Sequence, residues 1–543
     1  MKWILAPIAA LLVQGLLVQG LSAQVTLSAA VNAASYANPV LPNGSLTQGG
    51  VFIAFGSGMG PAKLQEISAY PLPTNLAGTS IAVTVNGTTV NCILLFTSAN
   101  QVAAVLPSDT PAGSGTMVLS YNSAMSSALN VTVAPHNFGI FSVSQTGSGA
   151  GVITNAITNV VNSQTQSANA TQLLDIWGTG LGPVAGNEID GPLPGNIPNL
   201  PIQAFVGGQE VKVNYAGRSG CCTGLDQVEI VVPSGIVGCA VPVYVVVGGV
   251  TSNFVTVSIA QSGSTCVNPG ALTASQLASA QANGGLRQGV ASLLQDHSYI
   301  AKRDYESDTV AVSFMKTPYV DLTLVPPSPP PMANTCNITA SGGSLPAGYE
   351  SPTALAAGTV MLSGEVGPYT MLLQSTGGYG LVFEPSEQGA EAGIINSGVE
   401  LTPGTYTFTG TAGTDIGAFN VSITLPALFN WTNRPSPKAT ISRSEPFVIN
   451  WTNGYPGALV DIELQSAASL TEGVTVVCWA DPTAGTFSVP VTVLQALPPT
   501  YSGGSASAHV SQGYMTNNFT APGIDIGYAS WSSGSGVTAL IYK

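Results

Sequence analysis

Short runs in which every second residue is apolar recur along most of this chain, separated by Gly, Pro, Asn and Ser. Ile81-Ala-Val-Thr-Val85 places Ile81, Val83 and Val85 on one side, and Val255-Thr-Val257 repeats the pattern. A period of two is that of a strand with one buried face. Such a strand needs a second layer to cover it.

The runs fall into an internal repeat. Phe55-Gly-Ser-Gly-Met-Gly-Pro61 is echoed by Trp177-Gly-Thr-Gly-Leu-Gly-Pro183, Ile81–Gly87 by Ile202–Gly208, and Asn100–Pro107 by Asp226–Pro233. Each copy closes with one more alternating pair, Thr116–Tyr121 with Ala128–Val133, and Val241–Val247 with Asn253–Ile259. About seven short runs over roughly 110 residues predict a two-sheet antiparallel sandwich. The glycine-rich segment predicts a turn. It lacks the GK[ST] ending and following helix of a phosphate loop.

Beyond the second copy the pattern changes. Ala271–Ala282 is Ala-rich and predicts a short helix starting near Thr273. Val290–Ile300 and Thr309–Met315 predict a hairpin whose tip is the charged stretch Lys302–Asp308. Pro326–Pro331 predicts a stiff spacer. Two further sets of alternating runs follow, one from Val360 to Leu425 and one from Phe447 to Tyr542. The expected organisation is a signal peptide over 1–23, sandwiches over 24–135 and 136–262, a helix/hairpin insert with its Pro-rich linker over 263–332, and sandwiches over 333–427 and 428–543. The fold class is all-β, with tandem immunoglobulin-like (TIG/E-set-like) sandwiches.

The signal peptide reading rests on Met1-Lys2, the apolar run to Leu21 and the small residues before Gln24. It predicts export to the medium or cell surface, with the periplasm also compatible. No later run predicts a transmembrane segment. Charged residues are only 7% of the chain and the net charge is -14, with 12 Lys plus Arg. Too few cations are present to neutralise several phosphates, so nucleic acid is excluded as a partner.

Candidate chemistry is sparse. His136, His297 and His509 lie far apart in sequence, and neither H-E-x-x-H nor G-x-S-x-G occurs. Asp226 with Glu229, and Glu384 with Glu387, are the carboxylate pairs to weigh against glycosidase chemistry. The first pair would point to opposite faces of one strand, and the second brackets a turn. The reading is therefore no enzyme and no cofactor. Asp304, Glu306 and Asp308 are the one candidate calcium set, against a solvated hairpin tip. Trp431 and Trp451, each in an Asn-Trp-Thr-Asn string, are either inter-sheet packing or a stacking platform for a glycan. Trp479 alternates with Val477 and reads as core.

Seven cysteines leave at least one unpaired. Cys92 aligns with Val213 of the second repeat and predicts a buried free thiol. Cys239 is a candidate partner for one of the adjacent pair, Cys222 being the choice. Cys266 and Cys336 flank the insert and are a second candidate pair. Adjacent Cys221 and Cys222 are not expected to bridge each other, and Cys478 has no evident partner.

Taken in order, Asn32-Ala-Ala-Ser-Tyr36, Phe55-Gly-Ser-Gly58, Asn75-Leu-Ala-Gly78, Gly139-Ile-Phe141, Tyr215-Ala-Gly217, Gly224-Leu-Asp-Gln-Val228 and Ser252–Val257 form a set of marks. This set resembles the Ig/TIG-like C-terminal domain of uncharacterised exported proteins of Solibacter-type acidobacteria. Leu401–Thr407, Asp415–Phe419 and Trp431–Arg434 resemble a C-terminal half that accompanies that module. The resemblance implies an extracellular β-rich protein and supplies no catalytic or binding residues. Two functions are carried forward: a structural or adhesive protein whose partners are other extracellular proteins or polysaccharide, and a secreted carbohydrate- or other ligand-binding protein.

Overall fold

The computed structural model describes residues 24–268, 271–300, 303–324, 331–340, 348–384, 394–396, 400–516 and 519–543. The expected signal peptide and most of the Pro-rich spacer lie outside them. The architecture is mostly β-sheet, in sandwich-like layers, with a short helical insert between strand runs.

The first repeat copy is a two-sheet sandwich. One sheet centres on Val51–Ser57 and Gln101–Val105, the other on Gly113–Tyr121 and Thr79–Val85. The alternation seen in sequence is realised, since Thr79–Val85 buries every second residue. Ile81, Val83 and Val85 meet Phe52, Leu94 and Val102 in the core. Asn86 and Gly87 both take positive φ, as a two-residue turn between right-twisted strands requires. The second copy repeats the plan. Leu173–Thr179 and Asp226–Val231 lead one sheet, Ile202–Val206 and Gly238–Val247 the other, around Leu174, Ile176, Val228 and Val243. The glycine-rich segments are turns at strand ends, as predicted, with Gly58, Gly180 and Gly182 at positive φ.

The two copies share a hydrogen-bonded seam. Asn32 Nδ2 donates to the carbonyls of Asn137 (3.0 Å) and Thr179 (3.2 Å). The Val51 amide donates to Thr179 Oγ1 (2.8 Å), and the Ser108 amide to Glu188 Oε2 (2.8 Å). Buried polar groups bonded to specific partners fix orientation as well as proximity.

The C-terminal half differs from the expected insert followed by two separate sandwiches. A single 12-stranded sheet runs through all three regions. The hairpin Gly285–Ile300 and Arg303–Pro318, paired along its whole length, sits inside that sheet. Gly285–Ile300 pairs in parallel with Ile526–Tyr542, and Arg303–Pro318 pairs with Tyr379–Glu384. Thr335–Ala340 pairs with Gly473–Ala480. The expected boundaries at 332 and 427 therefore cut across a sheet whose strands are far apart in sequence. Two smaller sheets cover one face of it. Val360–Ser363, Gly404–Gly410 and Phe419–Leu425 lie over Leu293, Val310 and Trp531. Asn430–Trp431, Phe447–Thr452 and Thr486–Val489 lie over Ile462, Val476 and Val510.

The helix Ala274–Ala282 starts where predicted. Thr273 caps it and Gln276 reciprocates, a capping box. A second seam joins the second sandwich to the C-terminal half. Phe205, Tyr244 and Phe254 stack in series at 4.6 and 4.3 Å. Tyr244 and Phe254 are buried in the same core as Trp431 and Trp451, and Thr251 Oγ1 donates to the Thr492 carbonyl (2.6 Å).

Candidate functional site

Trp431 and Trp451 are cross-strand neighbours, only 3% and 4% exposed. Trp451 Nε1 donates to the Pro482 carbonyl (2.7 Å) and Trp431 Nε1 to Asn433 Oδ1 (3.0 Å). Their rings pack against core neighbours, Trp451 against Phe429 and Trp431 against Phe447. The stacking-platform expectation for these two residues is therefore corrected to inter-sheet packing. In each string the strand alternation turns Trp inward and its Asn and Thr neighbours outward.

Trp479 moves the other way. The buried face of Gly473–Ala480 carries Val474, Val476, Cys478 and Ala480. Trp479 and Val477 stand on the opposite face and are half-buried. Alternation was read correctly and its phase was not, because both faces of this strand bear apolar residues.

The strand Arg303–Pro318 carries the calcium candidates. The Asp304 side chain lies outside the described residues. Glu306 and Asp308 flank His297, with Nδ1 3.8 Å from Glu306 Oε1 and Nε2 3.9 Å from Asp308 Oδ1. Asp308 is buried, and its Oδ2 accepts from the Leu401 amide (2.7 Å) while Gln295 Nε2 donates to the Leu401 carbonyl (2.5 Å). Burial pushes the Asp308 carboxyl up to about 6; the Leu401 amide and His297 oppose this, and Glu400 and Glu306 add to it. Asp308 thus clamps a backbone segment rather than standing on a solvated tip. Among the described residues no group of three or more His, Cys, Asp or Glu side chains is placed to hold a metal ion.

The four candidate cysteines are all bridged, but to other partners. The disulfides are Cys221–Cys222, Cys239–Cys266 and Cys336–Cys478. Cys222 therefore does not reach Cys239, and Cys266 does not reach Cys336. The register opposes Cys336 to Cys478 directly, a pairing that follows only from the sheet order. Cys92 is a buried free thiol, as expected.

Asp226 belongs to a buried structural centre with a residue the sequence reading did not single out, Arg218. Arg218 Nη1 contacts Asp226 Oδ1. Its Nη2 donates to the carbonyls of Gly49 (2.7 Å) and Gly182 (2.9 Å). Asp226 Oδ2 accepts from the amides of Gly180 (2.7 Å) and Leu181 (2.8 Å). Gly180 has φ +103, and a Cβ there would stand 2.3 Å from the Asn137 carbonyl oxygen. Glu229, on the other face of the strand, bonds Asn214 instead. Of the second carboxylate pair, the Glu384 side chain and Glu387 lie outside the described residues.

A cleft of ≈ 830 Å³ opens where the second sandwich, the helix Ala274–Ala282 and the edge strand Thr335–Ala340 meet. Trp479, Asn337, Phe254, Met332, Leu272 and Leu277 are among the residues that line it. Among the described residues no Asp, Glu, Lys, Arg or His lines it. Asp461 stands directly opposite Trp479 across the ladder. Burial and Glu463 push the Asp461 carboxyl up to about 6, against His509 and a hydrogen bond from Trp479.

No family model and no curated protein matches the chain. Solved structures similar to it include Sidekick-1 immunoglobulin domains 1–4 (11% identity, 94% of this chain and 99% of that chain, TM-score 0.12). Domains 5–6 of the S-layer protein SbsC align at 13% identity over 44% of this chain and 100% of that chain, with a TM-score of 0.17. SGBP-B of the Bacteroides ovatus mixed-linkage glucan utilization locus, in complex with a mixed-linkage heptasaccharide, aligns at 9% identity over 77% and 85%, with a TM-score of 0.14. TM-scores this low establish no common arrangement. Among the described residues no helix is long and apolar enough to cross a membrane.

Proposed function

We propose that this chain is a non-enzymatic extracellular protein with a structural or adhesive role, released or held at the cell surface. Its partners are other extracellular proteins or polysaccharide. This reading keeps it with the acidobacterial exported proteins that its repeat motifs resemble. One observation carries it: the modules are joined by buried, bonded seams instead of loose linkers. Arg218 of the second sandwich bonds the Gly49 carbonyl of the first, and Tyr244 of the second sandwich lies inside the core of the C-terminal half. A rigid array holds its surfaces at fixed spacing and transmits force between partners bound at its two ends. Loose linkers would favour relative domain motion.

The test is attachment under flow. Beads coated with the chain from residue 24 onward should resist detachment from films of extracellular polysaccharide or matrix protein better than beads coated with the denatured chain. Equal detachment on every film overturns the adhesive reading.

A further inference from the structure

We infer that the cleft at Trp479 is a binding site for a neutral saccharide. The inference rests on the extracellular adhesive reading and names its partner class and contact site. Three observations converge on it.

The first is chemical. The lining combines the aromatic rings of Trp479 and Phe254 and aliphatic side chains with amide and hydroxyl groups from Asn337, Thr339 and Gln164, and among the described residues it carries no charged side chain. A sugar has the same mixture, an apolar C–H face edged by neutral hydroxyls. An ionic ligand would find no counter-charge there, and a purely aliphatic one would leave the amides unpaired. The volume suits a ligand of a few rings, and the meeting place of modules is where such clefts form.

The second is positional. Trp431, Trp451 and Trp531 are buried, whereas Trp479 is half-buried and lines the cleft. Its ladder neighbours are Asp461 on one side and Thr335 on the other.

The third is covalent. Two disulfides frame the cleft. Cys336–Cys478 ties the strand bearing Asn337 to the strand bearing Trp479. Cys239–Cys266 ties the segment leading to the helix to the strand Gly238–Val247. The cross-linked segments around the cleft are thereby held together before any ligand arrives, which lowers the ordering cost of binding.

The test uses the disulfide-intact chain from residue 24 onward and three probes: cellotetraose, xylotetraose and maltotetraose. Calorimetry and tryptophan fluorescence should show saturable binding of at least one probe with Kd below ~1 mM. Trp479→Ala should weaken it by about tenfold or more. Leu277 is 36% exposed, so Leu277→Arg leaves the fold intact while placing a charge in the cleft, and should weaken binding comparably with an unchanged unfolding midpoint. Saturable binding that Leu277→Arg leaves untouched overturns the site. Absence of binding by all three probes overturns the ligand class. Beads that still attach to protein films in that case leave the adhesive reading standing, so the two failures are distinguishable.

Discussion

Replacing Arg218 by Ala is expected to uncouple the two N-terminal sandwiches and to destabilise both. Arg218 is 1% exposed and Asp226 0%. The substitution removes the cation that touches the buried carboxylate and strips the Gly49 and Gly182 carbonyls of their donor. Breaking a buried ion pair from one side costs about 3–5 kcal/mol, because the remaining charge stays uncompensated. Each orphaned carbonyl adds up to about 1–3 kcal/mol, less where water reaches the space the guanidinium leaves. A total near 5 kcal/mol corresponds to a fall on the order of 10–20 °C for a cooperative unit of roughly 150–250 residues. Calorimetry reads the shift. Hydrogen exchange locates it, since the Gly180 and Leu181 amides that bond Asp226 should lose protection first. Arg218→Met with Asp226→Leu removes the unpaired charge but should recover little of the loss, because the Gly49 and Gly182 carbonyls and the Gly180 and Leu181 amides all lose their side-chain partners. A shift below about 1 kcal/mol for Arg218→Ala, with unchanged exchange at residues 180–181, would refute the argument.

Three further outcomes follow from single sites. Asp308 has its folded pKa raised to about 6, against an unfolded value near 3.9. Its favourable contribution is thus fully present below about pH 4 and is lost as pH rises through about 6. Asp308→Asn should raise stability at pH 7 by on the order of 2 kcal/mol and flatten the dependence between pH 4 and 7, read by urea unfolding at several pH values. Cys92 is fully buried, and burial pushes its thiol up. It should be silent to a thiol reagent in the native protein and react with one equivalent on unfolding. Trp451→Ala should cost about 3–5 kcal/mol through the cavity it leaves, measured by denaturant midpoint, and saccharide affinity of the remaining folded protein should be unchanged.

What the sequence made legible was local. The phase of Ile81, Val83 and Val85, the repeated turn glycines and the Thr273 cap each involve residues a few positions apart, and each was realised. What it hid was long-range. Nothing within Gly285–Ile300 announces a parallel partner at Ile526–Tyr542, so a hairpin inside a 12-stranded sheet reads as an insert. The disulfides failed for the same reason. Cys336 lies opposite Cys478 only because Thr335–Ala340 joins the edge of that sheet, whereas proximity in sequence suggested Cys266. Trp431, Trp451 and Trp479 show the limit of periodicity, which separates the faces of a strand but leaves open which one is covered. Arg218 carried an unused signal. It is one of two cations between residues 136 and 262, the other being Lys212. In a chain this poor in charge, an Arg close to an Asp within one repeat marks a buried pair.

The central claim is that the modules form one rigid array. Spin labels at exposed Asn86 and Leu470, on a Cys92→Ala background, test it directly by pulsed dipolar spectroscopy. The account predicts a single narrow distance distribution that Arg218→Ala broadens. A broad or multi-peaked distribution in the parent protein would contradict it.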